Sequence, residues 1–148
     1  MPRYDRDIML RLVSELRKSV RRLQILSRLK KEELAGDPDK LASAKYHFIV
    51  AIESCIDMCN HIISQNGFRA PEDYADTFRV MAEEGALEKE VLDDLVAMAK
   101  FRNRLVHLYW EVNSDQFHTI LLSRLGEFGM VLASIATYLN WNDLSADA

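Results

Sequence analysis

Glycine and proline are scarce in this chain, at 5 and 3 of 148 residues, and long periodic runs fill the spaces between them. That excludes the turn-dense pattern of an all-β sandwich or barrel. No strand alternation and no glycine-rich phosphate loop are present, so a dinucleotide-binding fold is not expected. No internal repeat or low-complexity tract occurs. No apolar run approaches the ~18 residues that would span a bilayer. The first residues, Met1-Pro2-Arg3-Tyr4-Asp5-Arg6-Asp7, are too charged for a secretory signal. A cytoplasmic protein without a membrane segment is expected.

Cysteine is equally sparse. Cys55 and Cys59 stand four apart in a helical pattern. They are expected to be reduced, buried small hydrophobes, because two thiols without further ligands make a poor zinc site. No metal site and no cofactor are expected.

What is present is apolar residues at helical spacing. Met9, Val13, Leu16, Val20, Leu23 and Leu26 predict a first helix from about Asp7 to Glu33, ended by Gly36-Asp37-Pro38. A second helix is expected from Asp39 to Gln65. Its apolar band, Phe48 through Ile63, is too wide for one-sided cover, so it should be central. Asn66-Gly67 is its left-handed stop. Pro71 opens a short third helix that Gly85 ends. A fourth runs from about Leu87 toward Arg104. Asn113-Ser114 caps a last helix running to Leu139, in which Gly126 and Gly129 offer room for close helix contact. The expected fold class is all-α, an up-and-down bundle of four long helices and one short one. One domain over 1–140 is expected, with a polar, disordered tail at 141–148.

Charge is uneven. Residues 1–31 carry ten basic and three acidic side chains, +7, so the overall −4 leaves −11 for the remainder. The basic helix could face phosphates or an acidic partner, or be a solvated face. On the second helix Tyr46, Glu53, Asp57 and His61 form a polar stripe. Either Glu53 and Asp57 meet Arg102 or Arg104, or the stripe faces water.

The stretch Phe101-Arg102-Asn103-Arg104-Leu105-Val106-His107-Leu108-Tyr109-Trp110 concentrates the chemistry. A histidine moves protons near neutral pH, an arginine binds phosphate in a fixed fork, and a tyrosine hydroxyl accepts modification. Five helical steps put Arg102 and His107 about 140° apart, whereas Arg104 and His107 share a face. Arg102 and His107 converge only if the helix breaks near Leu105–Leu108 or a two-fold partner adds a second copy. Two arginines and two histidines along one cleft suit RNA cleavage, in which the ribose supplies the nucleophile and no metal is needed. On spacing alone, an Arg…His pair at a helix end is more often a surface pair or a capping group.

Arg102-Asn103-Arg104-Leu105-Val106-His107-Leu108-Tyr109 resembles the Arg-x4-His-x-Tyr signature of HepT-type HEPN-domain proteins. The second helix, with its Ala51-Ile52-Glu53…Ile56-Asp57 pattern, is also similar, and the resemblance covers about residues 5–140. It implies an all-α homodimer and a metal-independent endoribonuclease toxin that cleaves tRNA or mRNA at a dimer cleft. Arg102 and His107 would be the catalytic pair and Asn103 the supporting polar residue. Arg104 would be an auxiliary phosphate contact, and Glu53 and Asp57 would either orient Arg102 or Arg104 or line a wet groove. Tyr109 would accept AMP from an MntA-type nucleotidyltransferase antitoxin, which silences the toxin. Lys45 departs from the arginine expected in many relatives. Two other readings stay open. One is a non-catalytic HEPN module that partners a minimal nucleotidyltransferase. The other is a plain helical dimer in which the arginine and aromatic cluster is an interface.

Overall fold

Asp37 starts the element around which the rest is packed. Its backbone is extended, and its carboxylate accepts from the amides of Asp39 and Lys40 at 3.2 Å, ahead of Pro38 in the first turn. The computed structural model describes residues 1–141, 143 and 144. In it α1 is Arg6–Leu26, α2 Lys31–Ala35, α3 Pro38–Gln65, α4 Tyr74–Glu83, α5 Lys89–His107, α6 Ser114–Arg124 and α7 Gly126–Tyr138. A 3₁₀ turn, Tyr109–Glu111, follows α5. No strand occurs among the described residues, and the all-α bundle is borne out. No single helix in it is long and apolar enough to cross a membrane.

α3 is central for the reason its wide apolar band suggested. Phe48, Ile52, Cys55, Ile56, Cys59, Ile62 and Ile63 are buried on several sides of it, and α1, α2, α4, α5 and α7 all pack against it. Burial pushes the Cys55 thiol well up and the Cys59 thiol to about 12. Both remain protonated, inert packing groups. At the centre Phe48 meets Phe101, Phe117 and Phe128 edge to face, with ring centroids 5.6–5.7 Å apart. Gly67 and Gly85 end α3 and α4 with φ of +66° and +76°, values that suit a residue without Cβ.

Five expectations need correction. The first helix does not reach Glu33. Continuing its 3–4 spacing past Leu26 would turn Lys30 and Glu33 into the core. The chain instead breaks at Ser27, whose hydroxyl donates to the Gln24 carbonyl at 2.7 Å, and α2 then buries Leu34. Pro71 lies outside α4, which Asp73 caps through the Asp76 amide at 2.7 Å. The last helix bends by 40° at Leu125 into α6 and α7. Gly126 and Gly129 have open space where a Cβ would sit, so they serve no close helix contact. The tail is not free at its described positions. Trp141 stacks on Tyr4 at 5.5 Å, the Arg6 guanidinium lies over its ring, and Leu144 is fully buried. Residues 142 and 145–148 lie outside the described residues.

The α3–α4 connection is held by one guanidinium. Arg69 donates to both oxygens of Asp76, at 2.7 and 3.0 Å, and to Glu83 at 2.8 and 3.0 Å. Asp76 also accepts from the Glu72 amide at 3.0 Å. The Arg69 hydrogen bonds, then the Glu72 amide, hold the Asp76 carboxyl at about 2, below its ordinary 3.8. A depressed carboxyl adds stability that is complete above its unfolded pKa and fades as pH falls through the folded one. The difference in thermal midpoint between the parent and Asp76→Asn should therefore be greatest above pH 3.8 and close toward pH 2. A gap that stays constant across that window would contradict the assignment.

Candidate active site at the end of α5

Buried Val91, Leu95, Met98, Ala99, Phe101 and Leu105 fix which way α5 faces. Arg102 falls on the inner side of the helix, with its side chain 13% exposed and directed at α3. Its Nε donates to Glu53 Oε1 at 2.9 Å, and Nη2 donates to the same oxygen. Nη1 donates to Asn103 Oδ1 at 3.1 Å. The guanidinium lies 4.8 Å from the centre of the Tyr74 ring. The fork is thus held on three sides, by an ion pair, an amide and an aromatic face. The open choice over the acidic stripe is settled for Glu53, which takes Arg102 and not Arg104. Asp57 is exposed and has no ion pair among the described residues. Desolvation first, then the Glu53 charge, raises its carboxyl pKa.

His107 is the last residue of α5 and is exposed. The helix does break, but only from Leu108, where φ and ψ are −134° and 39°. Arg102 and His107 therefore remain on one regular helix, about 140° apart, and the break does not bring them together. Arg104 is exposed on the His107 side. Tyr109 and Trp110 follow in the 3₁₀ turn, 60% and 67% exposed, and contact each other edge to face at 5.6 Å. With Val106 and Leu108 they form an exposed apolar patch around the helix end. Buried Val112 anchors the far side of the turn, and Lys45 Nζ donates to its carbonyl at 3.2 Å. Among the described residues no group of three or more His, Cys, Asp or Glu side chains could hold a metal ion.

The family described as ribonuclease HepT-like matches residues 16–135 of this sequence. The chain belongs to the ribonuclease HepT-like family.

The mRNA nuclease HepT of Shewanella oneidensis is 26% identical over 126 residues, covering 82% of this chain and 91% of that protein. The tri-AMPylated Shewanella oneidensis HEPN toxin, solved in complex with MNT antitoxin, superposes with a TM-score of 0.81 at 24% identity, over 88% of this chain and 98% of that one. YutE, a cytosolic protein of unknown function from Bacillus subtilis, gives 0.77 at 18% identity, over 95% and 94%. At these identities the structural likeness establishes the fold.

Within this HepT-like chain the expected residues divide into two groups. Arg102, Asn103 and Glu53 form one hydrogen-bonded set facing α3 and α4. Arg104, His107 and Tyr109 lie exposed on or just beyond the end of α5. No sequence pattern marks Tyr74 as a site residue, yet its ring lies under the Arg102 guanidinium. It directly follows the Asp73 cap and is 40% exposed. Lys45 was read only as a departure from relatives. Its tie to Val112, 67 residues away, carries no local sequence signal.

Proposed function

We propose that this protein is the toxin of a toxin–antitoxin pair. It would act as a homodimeric endoribonuclease through Arg102 and His107, and a nucleotidyltransferase antitoxin would silence it by AMPylation of Tyr109. What carries the reading is the state of the motif within a HepT-like chain. Arg102 is pre-oriented by Glu53, Asn103 and Tyr74, while His107 and Tyr109 stand open to solvent beside an apolar patch. A second copy meeting that patch supplies what one copy lacks, an arginine and a histidine that converge on one phosphate.

The chemistry follows from the side chains. One neutral His107 takes the proton of a ribose 2′-hydroxyl. The 2′-oxygen attacks phosphorus, and the bond from phosphorus to the 5′-oxygen breaks. A protonated His107 of the second copy gives that oxygen its proton. The products are a 2′,3′-cyclic phosphate and a 5′-hydroxyl. Arg102, with Asn103 fixing its fork, holds the phosphate as charge builds on it. Arg104 is an auxiliary phosphate contact. In the silencing step the Tyr109 oxygen attacks the α-phosphate of ATP, loses its proton and releases pyrophosphate. The attached AMP adds bulk and negative charge two residues from His107, which blocks the cleft and repels RNA.

The test is incubation of the unmodified protein with RNA in EDTA, followed by end-group analysis. Cleavage with cyclic phosphate ends is expected. It should disappear once ATP and the cognate nucleotidyltransferase have added AMP, and Tyr109→Phe should escape that loss. Fragments with 3′-hydroxyl ends, or activity abolished by EDTA, would refute the mechanism.

A non-catalytic module that partners a nucleotidyltransferase is the second reading. Two observations favour it. The Arg102 fork is already occupied by Glu53 and Asn103, and the net charge of −4 disfavours RNA.

A further inference from the structure

Arg102 is the arginine the motif offers for phosphate, yet the cations that share a helix face with His107 are others. At about 100° per residue, Lys100, Arg104 and His107 fall within about 60° of one another, and Arg102 lies some 140–160° away. Lys100 and Arg104 are both exposed, and neither makes an ion pair among the described residues. Between them and α6 runs a groove of about 290 Å³. Its floor is apolar, built from Ala97, Phe101 and Ile120 among others. Arg124 closes the far end, neutralised by Asp94 at 3.1 Å and by the largely buried Glu127 at 2.7 Å. Uncompensated positive charge therefore sits only at the His107 end.

We propose that this groove is a subsite for the nucleotide flanking the cleaved phosphate of a single-stranded RNA. Lys100 and Arg104 hold its phosphate, and its base lies on the Phe101–Ile120 floor. The inference rests on the ribonuclease reading above and extends it. A strand tracking α5 from His107 meets Arg104 about 5 Å and Lys100 about 10 Å along the axis. Two free cations in line with an apolar shelf match what single strands require, a charged track beside a surface that receives bases without reading them. An acidic protein segment would use the cations but leave the shelf unexplained.

The test uses a short 2′-O-methyl RNA of mixed sequence, which lacks the nucleophile and stays intact. Its binding is followed by fluorescence anisotropy across a salt series. Lys100→Ala should bind several-fold more weakly, and the slope of log affinity against log salt should fall by about 0.7. Lys100→Glu should weaken binding further, with the thermal midpoint of both variants unchanged. Equal affinity and slope for the parent and both Lys100 variants would overturn the subsite. So would variants that bind RNA normally but lose a purified nucleotidyltransferase partner, which would assign the groove to protein. If Lys100-dependent binding is present but the parent cuts no RNA, the subsite stands and the ribonuclease reading alone fails.

Discussion

His107→Ala should reduce RNA cleavage by about 10²- to 10⁴-fold, the range for losing a positioned general acid or base. It should do so with little change in stability. His107 ends α5, is exposed, and its side chain makes no hydrogen bond among the described residues, so truncation leaves no buried group unpaired. The contrast with Arg102 gives the result its meaning. Arg102→Ala would also strip Glu53 and Asn103 of their hydrogen-bond partner and uncover Tyr74, so loss of activity there mixes chemistry with local collapse. In His107→Ala the two separate. The measurement is single-turnover cleavage of one RNA by parent and variant, with a thermal unfolding curve for each. Undiminished cleavage would remove His107 from the mechanism. A large fall in midpoint would make its role structural.

The second large effect lies in the core. Phe48 is fully buried and is the common neighbour of Phe101, Phe117 and Phe128, which come from α5, α6 and α7. Phe48→Ala removes the shared partner of three rings and leaves a cavity between rigid helices. Such truncations cost about 3–5 kcal/mol, against a total stability of about 5–15 kcal/mol for a typical domain. At about 2–4 °C per kcal/mol for a chain of this size, the thermal midpoint should fall by roughly 6–20 °C. Phe101 immediately precedes Arg102, so the same change should loosen the backbone that aims the guanidinium. Activity measured below the new midpoint should therefore fall as well. A loss below about 1 kcal/mol would mean that the helices close over the cavity.

Where the sequence misled, the cause is identifiable. Leu26 to Leu34 is a spacing of eight, compatible with one helix face, and that hid the break at Ser27. The polar Lys30 and Glu33 at the intervening core positions were the available warning. At Leu125 no proline or turn pair marks the bend. Helix propensity is local, whereas the two halves pack on different partners, α6 on α2 and α7 on α3 and α5. Trp141 and Leu144 sit among polar residues, so composition marked the segment as tail. Tyr4 and Arg6, from the other end of the chain, give Trp141 its place.

The run from Arg102 to Tyr109 stands out in the sequence as the candidate site. The all-α class, the central helix, the cap at Asn113 and the stops at Gly67 and Gly85 are legible there too. Each of these depends on a period of about 3.6 residues or on the backbone preference of a single residue. Tertiary packing alone sets that Glu53 takes Arg102 and leaves Arg104 free, that Tyr74 lies under the guanidinium, and that Lys45 ties down the far side of the 3₁₀ turn that holds Trp110. Those pairs join residues 28 to 67 positions apart, and a charge in sequence carries no record of which opposite charge it will meet. The order of packing along α5 makes that choice. Arg102 falls with Phe101 and Leu105 toward the core and must find partners there, whereas Arg104 falls with Lys100 and His107 toward water and remains available to a ligand.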